Sequence, residues 1–314
     1  MNQPFRILHL TDSHHKPGHP QLARAVEVVN AMDPQPDLVV HGGDIINGYC
    51  DDVARRQQMA DAAAILQDLR PPLLATCCNH DTHGEHVRGT CFACHFSDDW
   101  VQEHHHDGWA VLAVSGNVDL PGNLPPDARP EDGTTYRIGE NWFLDLLNSW
   151  LAEQADRRCV VFTHKPIVPM RGKLLPEDPA DKPPPGSLDN YSHRQPTRAR
   201  FLEILHRHNV AAHYAGHVHF NAVRTVGSLC CVSTSATQSY PGEMRLIECC
   251  SDRIEHRMIP VTGGYELWTR WRNTTDPTHP TEKQFYLGLD EEREFTFHLE
   301  PTRPGPGEGS NRSR

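Results

Sequence analysis

The sequence predicts an α/β fold in which strands pair in parallel and helices cover the sheet. Three observations predict it. Short apolar runs alternate with helix-period stretches over residues 6–76, the same alternation resumes over residues 142–215, and from Ala222 onward the texture changes to short β-rich runs. Strand–helix alternation points to parallel pairing because a parallel connection needs a crossover of a dozen or more residues, usually a helix.

Taken in order, residues 6–10 read as a strand, and residues 21–32 as a helix with apolar Leu22, Ala25, Val26, Val28 and Val29. A strand at 38–41, a helix at 51–69 and a strand at 73–76 follow. Residues 142–154 form a helix with Phe143, Leu144, Leu147 and Leu151 on one face, then come a strand at 159–163, a helix at 198–208 and a strand at 210–215. The later runs, 223–226, 229–233, 244–248 and 253–259, fit an antiparallel meander or a second sheet packed on the first. Residues 268–272 and 294–299 would add edge strands. Two long loops, 115–137 and 169–197, show neither period, and the second carries Lys182-Pro183-Pro184-Pro185-Gly186. Loops of that length are functional lids or simply loose. The expected organisation is a main domain over 1–265, a β-rich extension over 266–300, and a Pro-, Gly-, Ser- and Arg-rich disordered tail over 301–314.

Composition removes several functional classes. The 314 residues hold 30 Lys and Arg against 41 Asp and Glu, a net charge of −11, which repels a phosphate backbone at long range and argues against nucleic acid as the main partner. No run of eighteen uncharged apolar residues exists, so no membrane partner or span is expected. The N-terminus enters an apolar strand at once, without the basic, apolar, small-residue order of a leader. Three of the cysteine pairs are vicinal (Cys77-Cys78, Cys230-Cys231, Cys249-Cys250), which suits reduced thiols. A cytoplasmic location is the expectation.

Five short motifs follow expected strands, at the C-terminal ends where open α/β sheets present ligand sites. They are Asp12-Ser13-His14, Gly43-Asp44, Asn79-His80-Asp81, His164, and Gly216-His217-Val218-His219. Each alone is common; their order and shared position are not. Together they offer carboxylates, an amide oxygen and imidazoles, a donor mix suited to manganese, iron or zinc rather than calcium or a thiolate site.

This series resembles the calcineurin-like metallophosphoesterases, whose pattern runs D-x-H, G-D-x-x-[DN], G-N-H-[DE], a lone H, and G-H-x-H. The resemblance covers residues 5–260, and the Ser239-Tyr240-Pro241-Gly242 stretch with the compact motif spacing resembles the bacterial cyclic-nucleotide phosphodiesterase branch. It implies a sandwich of two mixed β-sheets flanked by helices, and a metal-dependent phosphoric ester hydrolase with two divalent or transition-metal ions. By that resemblance Asp44 bridges both metals; Asp12, His14 and His219 complete one, and Asn79, His164 and His217 the other. Physics agrees with the bridge, since two nearby cations need an anion between them. Each cation also lowers the pKa of a shared water from 15.7 toward ~7, giving a hydroxide able to attack a small phosphodiester or phosphomonoester, a cyclic nucleotide included. His80, beside Asn79 but not required as a ligand, is expected to act as general acid, oriented by Asp81 or another carboxylate. Asp44 and His80 are thus the expected catalytic pair.

One departure stands out: Cys78 replaces the motif glycine, so a turn needing φ > 0 would be altered or strained. Two other functions fit the same residues, a catalytically silent metal-binding scaffold for another protein and a metal-dependent nuclease, the latter needing a basic groove that the net charge does not advertise. Cys91-Phe92-Ala93-Cys94-His95 matches a haem-attachment motif, which export would have to accompany, so it is read as coincidence. His83, His86, Cys91 and Cys94 have the types of a Cys₂His₂ zinc site, but a solvated loop rich in both is the preferred reading, with His104-His105-His106 in the same exposed loop. Arg171, Lys173 and Lys182 either close over a substrate phosphate or solubilise their loop. His15 and His41 adjoin motif residues and would support them, and the charges of 290–294 read as a solvated face.

Overall fold

The computed structural model describes residues 3–82, 90–97, 99, 101–115, 141–170, 197–261 and 286–300. Among these, one six-stranded mixed sheet contains β1 (Phe5–Leu10), β2 (Leu38–His41), β3 (Leu73–Ala75), β10 (Glu243–Cys249), β11 (Arg253–Pro260) and β12 (Phe295–His298), in the order β12-β11-β10-β1-β2-β3. The other contains β4 (Val101–His106), β5 (Trp109–Val114), β6 (Arg158–Thr163), β7 (Val210–Ala215), β8 (Ala222–Val226) and β9 (Leu229–Ser233), in the order β4-β5-β6-β7-β9-β8. The parallel pairs are β1–β2, β2–β3, β5–β6, β6–β7 and β7–β9. The expected two-sheet α/β sandwich is what forms.

The layering follows from how side chains alternate along each strand. On β1, Ile7 points between the sheets, where it meets Val40, Phe162, Tyr214 and Ile247, while Leu8 and Leu10 face the outer helices. Those helices are α1 (Gln21–Ala31) and α2 (Asp52–Leu66) on the first sheet, and α5 (Asn141–Glu153) and α6 (Thr197–Arg207) on the second. Both strand faces are therefore buried, which is why β5 and β6 read as unbroken apolar runs rather than alternating ones. Helix α1 buries Leu22, Ala25, Val26 and Val29 and stops just before Asp33-Pro34, where the residue ahead of a proline disfavours helix. Helix α2 starts on an N-cap: Asp51 accepts a bond from the Ala54 N–H at 2.9 Å. Short helices α3 (Asn79–Thr82), α4 (Thr90–Ala93) and α7 (Asp290–Arg293) complete the described elements.

Several expectations change. The β4–β5 hairpin lies where no strand was expected, so His104-His105-His106 sits on a strand and not in a loop; His106 and His104 stack on Phe5 at centroid distances of 4.4 and 5.9 Å. Its turn, Asp107-Gly108, takes φ of 40° and 82°, the left-handed pair that matches strand twist. The late β runs form no separate sheet: β8 and β9 extend the second sheet as an antiparallel pair, while β10, β11 and β12 extend the first as the expected antiparallel meander, with β12 the expected edge strand. The 290–294 stretch is a solvated face only in part: Asp290, Glu291 and Glu294 are exposed, but Glu292 is fully buried and Arg293 makes a two-pronged ion pair with Glu243 at 2.7 and 2.8 Å. Cys91 is buried in α4 rather than in a solvated loop, whereas Cys94 is exposed. His83, His86, Arg171, Lys173, Lys182, the expected strand at 268–272, the tail at 301–314 and most of both long loops lie outside the described residues.

Candidate metal centre

The five motifs sit on loops leaving the C-terminal ends of β1, β2, β3, β6 and β7. Because β1, β2 and β3 are neighbours in one sheet and β6 and β7 in the facing sheet, the loops converge at one end of the sandwich. Backbone hydrogen bonds lock them together: Asp12 N–H to Gly43 O at 3.0 Å, His14 N–H to Asp44 O at 3.0 Å, and Gly216 N–H to His164 O at 2.9 Å. Gly216 must be glycine, since a Cβ there would lie 2.2 Å from Asp12 Oδ2.

The side chains meet as two main clusters, Asp12–His14–His219 and Asp44–His164–His217, with His14, Asp44 and His80 forming a third between them. In the first, His219 Nε2 lies 3.0 Å from Asp12 Oδ1, His14 Nε2 lies 3.1 Å from His219 Nε2, and His14 Nε2 is 3.9 Å from Asp44 Oδ2. In the second, His164 Nε2 is 3.1 Å from both Asp44 Oδ2 and His217 Nδ1. Donors bound to one ion at ~2.0–2.1 Å stand roughly 3–3.5 Å apart, so these separations suit a cation at each cluster. The residues thus fit a pair of metal ions. Asn79 opens α3 alongside, next to His80. His80 Nε2 stands 3.9 Å from Asp44 Oδ2, and its ring lies edge-on to His14 at 4.4 Å.

Backbone strain marks the same residues. Asp12, His14, Asp44, His217 and His219 all have φ between 39° and 67°, and they are five of the eight described non-glycine residues with positive φ. Such conformations cost about 1–3 kcal/mol each and survive where surroundings over-determine them. Cys78 is not among them, so the replaced glycine leaves no strained turn; its thiol instead lies 2.6 Å from Asp44 Oδ1.

The supporting groups are largely buried. Asp81 accepts backbone N–H bonds from Asp44, Ile45, Ile46 and Cys78 at 2.9–3.2 Å, fixing the turn that carries Asp44. It does not orient His80, contrary to expectation: His80 Nδ1 meets Asn47 O at 2.6 Å, a backbone acceptor with no sequence signature. That bond leaves Nε2 turned to the centre. His164 is held likewise, its Nδ1 on Gly42 O at 3.0 Å. His41 bonds Ser13 Oγ at 2.8 Å and so braces the first motif, while both ring nitrogens of buried His15 lack partners among the described residues.

Electrostatics separate the histidines. Burial lowers and neighbouring Asp44 and Asp12 raise His164, with a net rise to about 9. Burial opposes ionisation of Asp44 and Asp12, but the histidines beside them prevail and hold both carboxyls well below the usual range. His217 falls to about 3 through burial and the His164 charge, and burial also lowers His80. Burial and the Asp44 charge push Asp81 up to about 7, against the N–H donors that favour its charged form.

A cleft of about 610 Å³ opens onto this centre, lined by His14, His80 and His219 together with Lys16, residues 18–21, Asn47 and Gln238. Lys16, Gln21 and Gln238 were not singled out from the sequence, where they belong to no motif.

A family profile for calcineurin-like phosphoesterases matches residues 5–221. The chain is 25% identical to the serine/threonine-protein phosphatase CPPED1 of Mus musculus over 260 residues, covering 77% of this chain and 75% of that protein. The human protein of that name is 24% identical, over 74% and 71% of the two chains. Among solved structures, a dimetal phosphatase from Danio rerio superposes with a TM-score of 0.61 at 15% identity, over 83% of this chain and 98% of that one. GAP50, an anchor in the inner membrane complex of Plasmodium, does so at 0.54 and 12% identity, over 84% and 86%. At these identities the two structures report the fold alone.

Proposed function

Since the chain belongs to the calcineurin-like phosphoesterase family, we propose that it hydrolyses a small phosphodiester or phosphomonoester, a cyclic nucleotide among the candidates, at two metal ions of manganese, iron or zinc type. The observation that carries this reading is the pair of adjacent donor clusters, Asp12–His14–His219 and Asp44–His164–His217, linked by the His14–Asp44 contact at 3.9 Å. Asp12, His14, Asp44 and His219 would hold one ion, and Asp44, Asn79, His164 and His217 the other. When bound, the ions supply Lewis acidity, which neutralises charge on the phosphoryl oxygens and acidifies a water to serve as nucleophile.

The protein's own part is positional. Asp44 keeps the two clusters together, and Asp12 is fixed in place by the His217 N–H at 3.0 Å. His80 holds its Nδ1–H on Asn47 O and, in its doubly protonated form, would deliver a proton from Nε2 to the departing oxygen; burial lowers its pKa, so this form is more acidic but less populated at neutral pH. The cleft volume, about 610 Å³, suits a small ligand. Among the described residues no helix is long and apolar enough to cross a membrane. The three vicinal cysteine pairs, Cys77-Cys78, Cys230-Cys231 and Cys249-Cys250, support a reducing cytoplasmic setting.

A second reading takes a phosphorylated protein side chain as substrate, supported by the name of the CPPED1 relatives. Elemental analysis and a panel of phosphodiesters, cyclic nucleotides, phosphomonoesters and phosphopeptides decide. The proposal expects close to two transition-metal ions per chain, activity abolished by chelator and restored by Mn²⁺, Fe²⁺ or Zn²⁺, and turnover of small esters. Faster turnover of phosphopeptides would favour the second reading, and bound metal without turnover of any ester would favour the scaffold.

A further inference from the structure

Cys78 stands where the family pattern carries a glycine, so its side chain is a group that the pattern lacks. It is buried, at 2% exposure, against the loop that carries Asp44. Its Sγ accepts the Asp44 N–H at 2.8 Å, and its S–H meets Asp44 Oδ1 at 2.6 Å, with Asp81 Oδ2 at 3.4 Å. A thiol is both a weak acceptor and a weak donor, and here it uses both capacities on one residue, on its backbone and on its carboxylate. The fit is close: a Cβ added at Gly43 would lie 2.7 Å from this sulfur.

These contacts divide the two oxygens of Asp44 between the protein and the centre. Oδ1 takes the His80 backbone N–H at 3.1 Å and the Cys78 thiol. Oδ2 faces His14 Nε2 at 3.9 Å and His164 Nε2 at 3.1 Å, one residue from each main cluster. Rotation about χ2 of an aspartate is broad, so the side chain has no intrinsic preference that would keep Oδ2 there. Contacts on Oδ1 have to supply it. The backbone N–H of His80 would be present whatever stood at position 78, but the thiol is a side-chain donor that a glycine could not offer. A hydrogen bond to an ionised acceptor is also stronger than one between neutral groups, which raises the value of a donor as weak as sulfur.

We propose that Cys78 is a positioning residue of the metal centre, whose thiol holds Asp44 Oδ1 and so keeps Oδ2 presented to both donor clusters. This role rests on the two-ion reading of the site. Cys78 acts through Asp44 and not on the substrate, and the thiol proton does the holding rather than the volume of the sulfur. Groups that orient a metal-binding carboxylate in this way carry roughly 10–100-fold in metal affinity.

The test is calorimetric titration of Mn²⁺ into chelator-treated wild type, Cys78→Ala and Cys78→Ser, with melting of each metal-free protein to show that it folds. Cys78→Ala should bind Mn²⁺ about tenfold more weakly. Cys78→Ser removes nearly as much volume but keeps a donor, and should stay within about threefold of wild type. Unchanged affinity in Cys78→Ala, or an equal loss in both variants, overturns the proposal and leaves the two-ion reading standing. If the wild type takes up no ion, the two-ion reading is what fails, and the role of Cys78 falls with it. Should the variants not fold, infrared difference spectra of metal-free against Mn²⁺-loaded wild type decide. Ions at Oδ2 draw charge from the carboxylate, so a thiol holding Oδ1 is released in part and its S–H stretching band moves to higher frequency. An S–H region that ignores metal loading overturns the proposal.

Discussion

Replacing Asp81 with asparagine separates two roles for that residue. In the structure Asp81 Oδ1 takes the N–H groups of Ile45 and Ile46 at 2.9 and 3.2 Å, and Oδ2 takes those of Asp44 and Cys78 at 3.0 and 3.1 Å. Asparagine keeps one acceptor oxygen and turns an NH₂ toward the other two donors. With its oxygen on Ile45 and Ile46, the Asp44 N–H still has Cys78 Sγ at 2.8 Å and only the Cys78 N–H is left unpaired; at about 1–3 kcal/mol for a buried unpaired donor, Asp81→Asn should lose about that much stability. At roughly 2 °C per kcal/mol for a chain of this size, Tm should fall by about 2–6 °C. The Asp44 turn loosens with it, so metal affinity should drop as well. Thermal melting of the metal-free protein and calorimetric metal titration measure the two effects. Had Asp81 oriented His80, the loss would fall on kcat for poor leaving groups, with melting and metal uptake unchanged. That second pattern would refute the reasoning.

Asp44→Ala should be the most damaging ligand change, taking metal content from near two ions per chain to one or fewer, as elemental analysis would show, because it removes the donor proposed for both ions. His80→Ala should cost ~10²–10⁴-fold on alkyl phosphoesters, far less on nitrophenyl esters, and leave metal content intact; equal losses on both leaving groups would remove the general-acid role. Metal uptake should release protons. His164 is raised to about 9, so it is charged at pH 7.5 and must deprotonate to bind a cation, and calorimetry in buffers of differing ionisation enthalpy should detect that proton. By the same shift, the His164 contribution to metal-free stability is complete below its ordinary value of 6.5 and is lost as pH rises through about 9, which melting across that window checks.

The motif residues were legible because each directly follows a strand, and strand ends in a sheet with parallel pairs gather at one edge. Positions that depend on partners distant in sequence were not legible. The Arg293–Glu243 pair joins residues fifty apart in sequence, and no local pattern separates it from a solvated charge run. Asn47 acts through its carbonyl, which every residue possesses. The β4–β5 hairpin, by contrast, carried a readable signal in Asp107-Gly108 between two β-capable runs; the three histidines of β4 obscured it by suggesting a polar loop.

The departure at Cys78 shows where strain resides. Sequence reasoning placed it at the substituted glycine, yet the left-handed residues are the proposed ligands themselves: Asp12, His14, Asp44, His217 and His219. Five such residues at about 1–3 kcal/mol each sum to roughly 5–15 kcal/mol, as large as the net stability of a typical domain. Hydrogen bonds around the same residues offset part of this cost. They include the Asp81 bonds to the Asp44 turn, the His217 N–H on Asp12, and the Thr11 hydroxyl on Asp12 Oδ2 at 2.7 Å. The hydrogen bonds that hold the proposed ligands thus lie where the backbone is most strained, so groups such as Asp81 share in ordering the donor clusters.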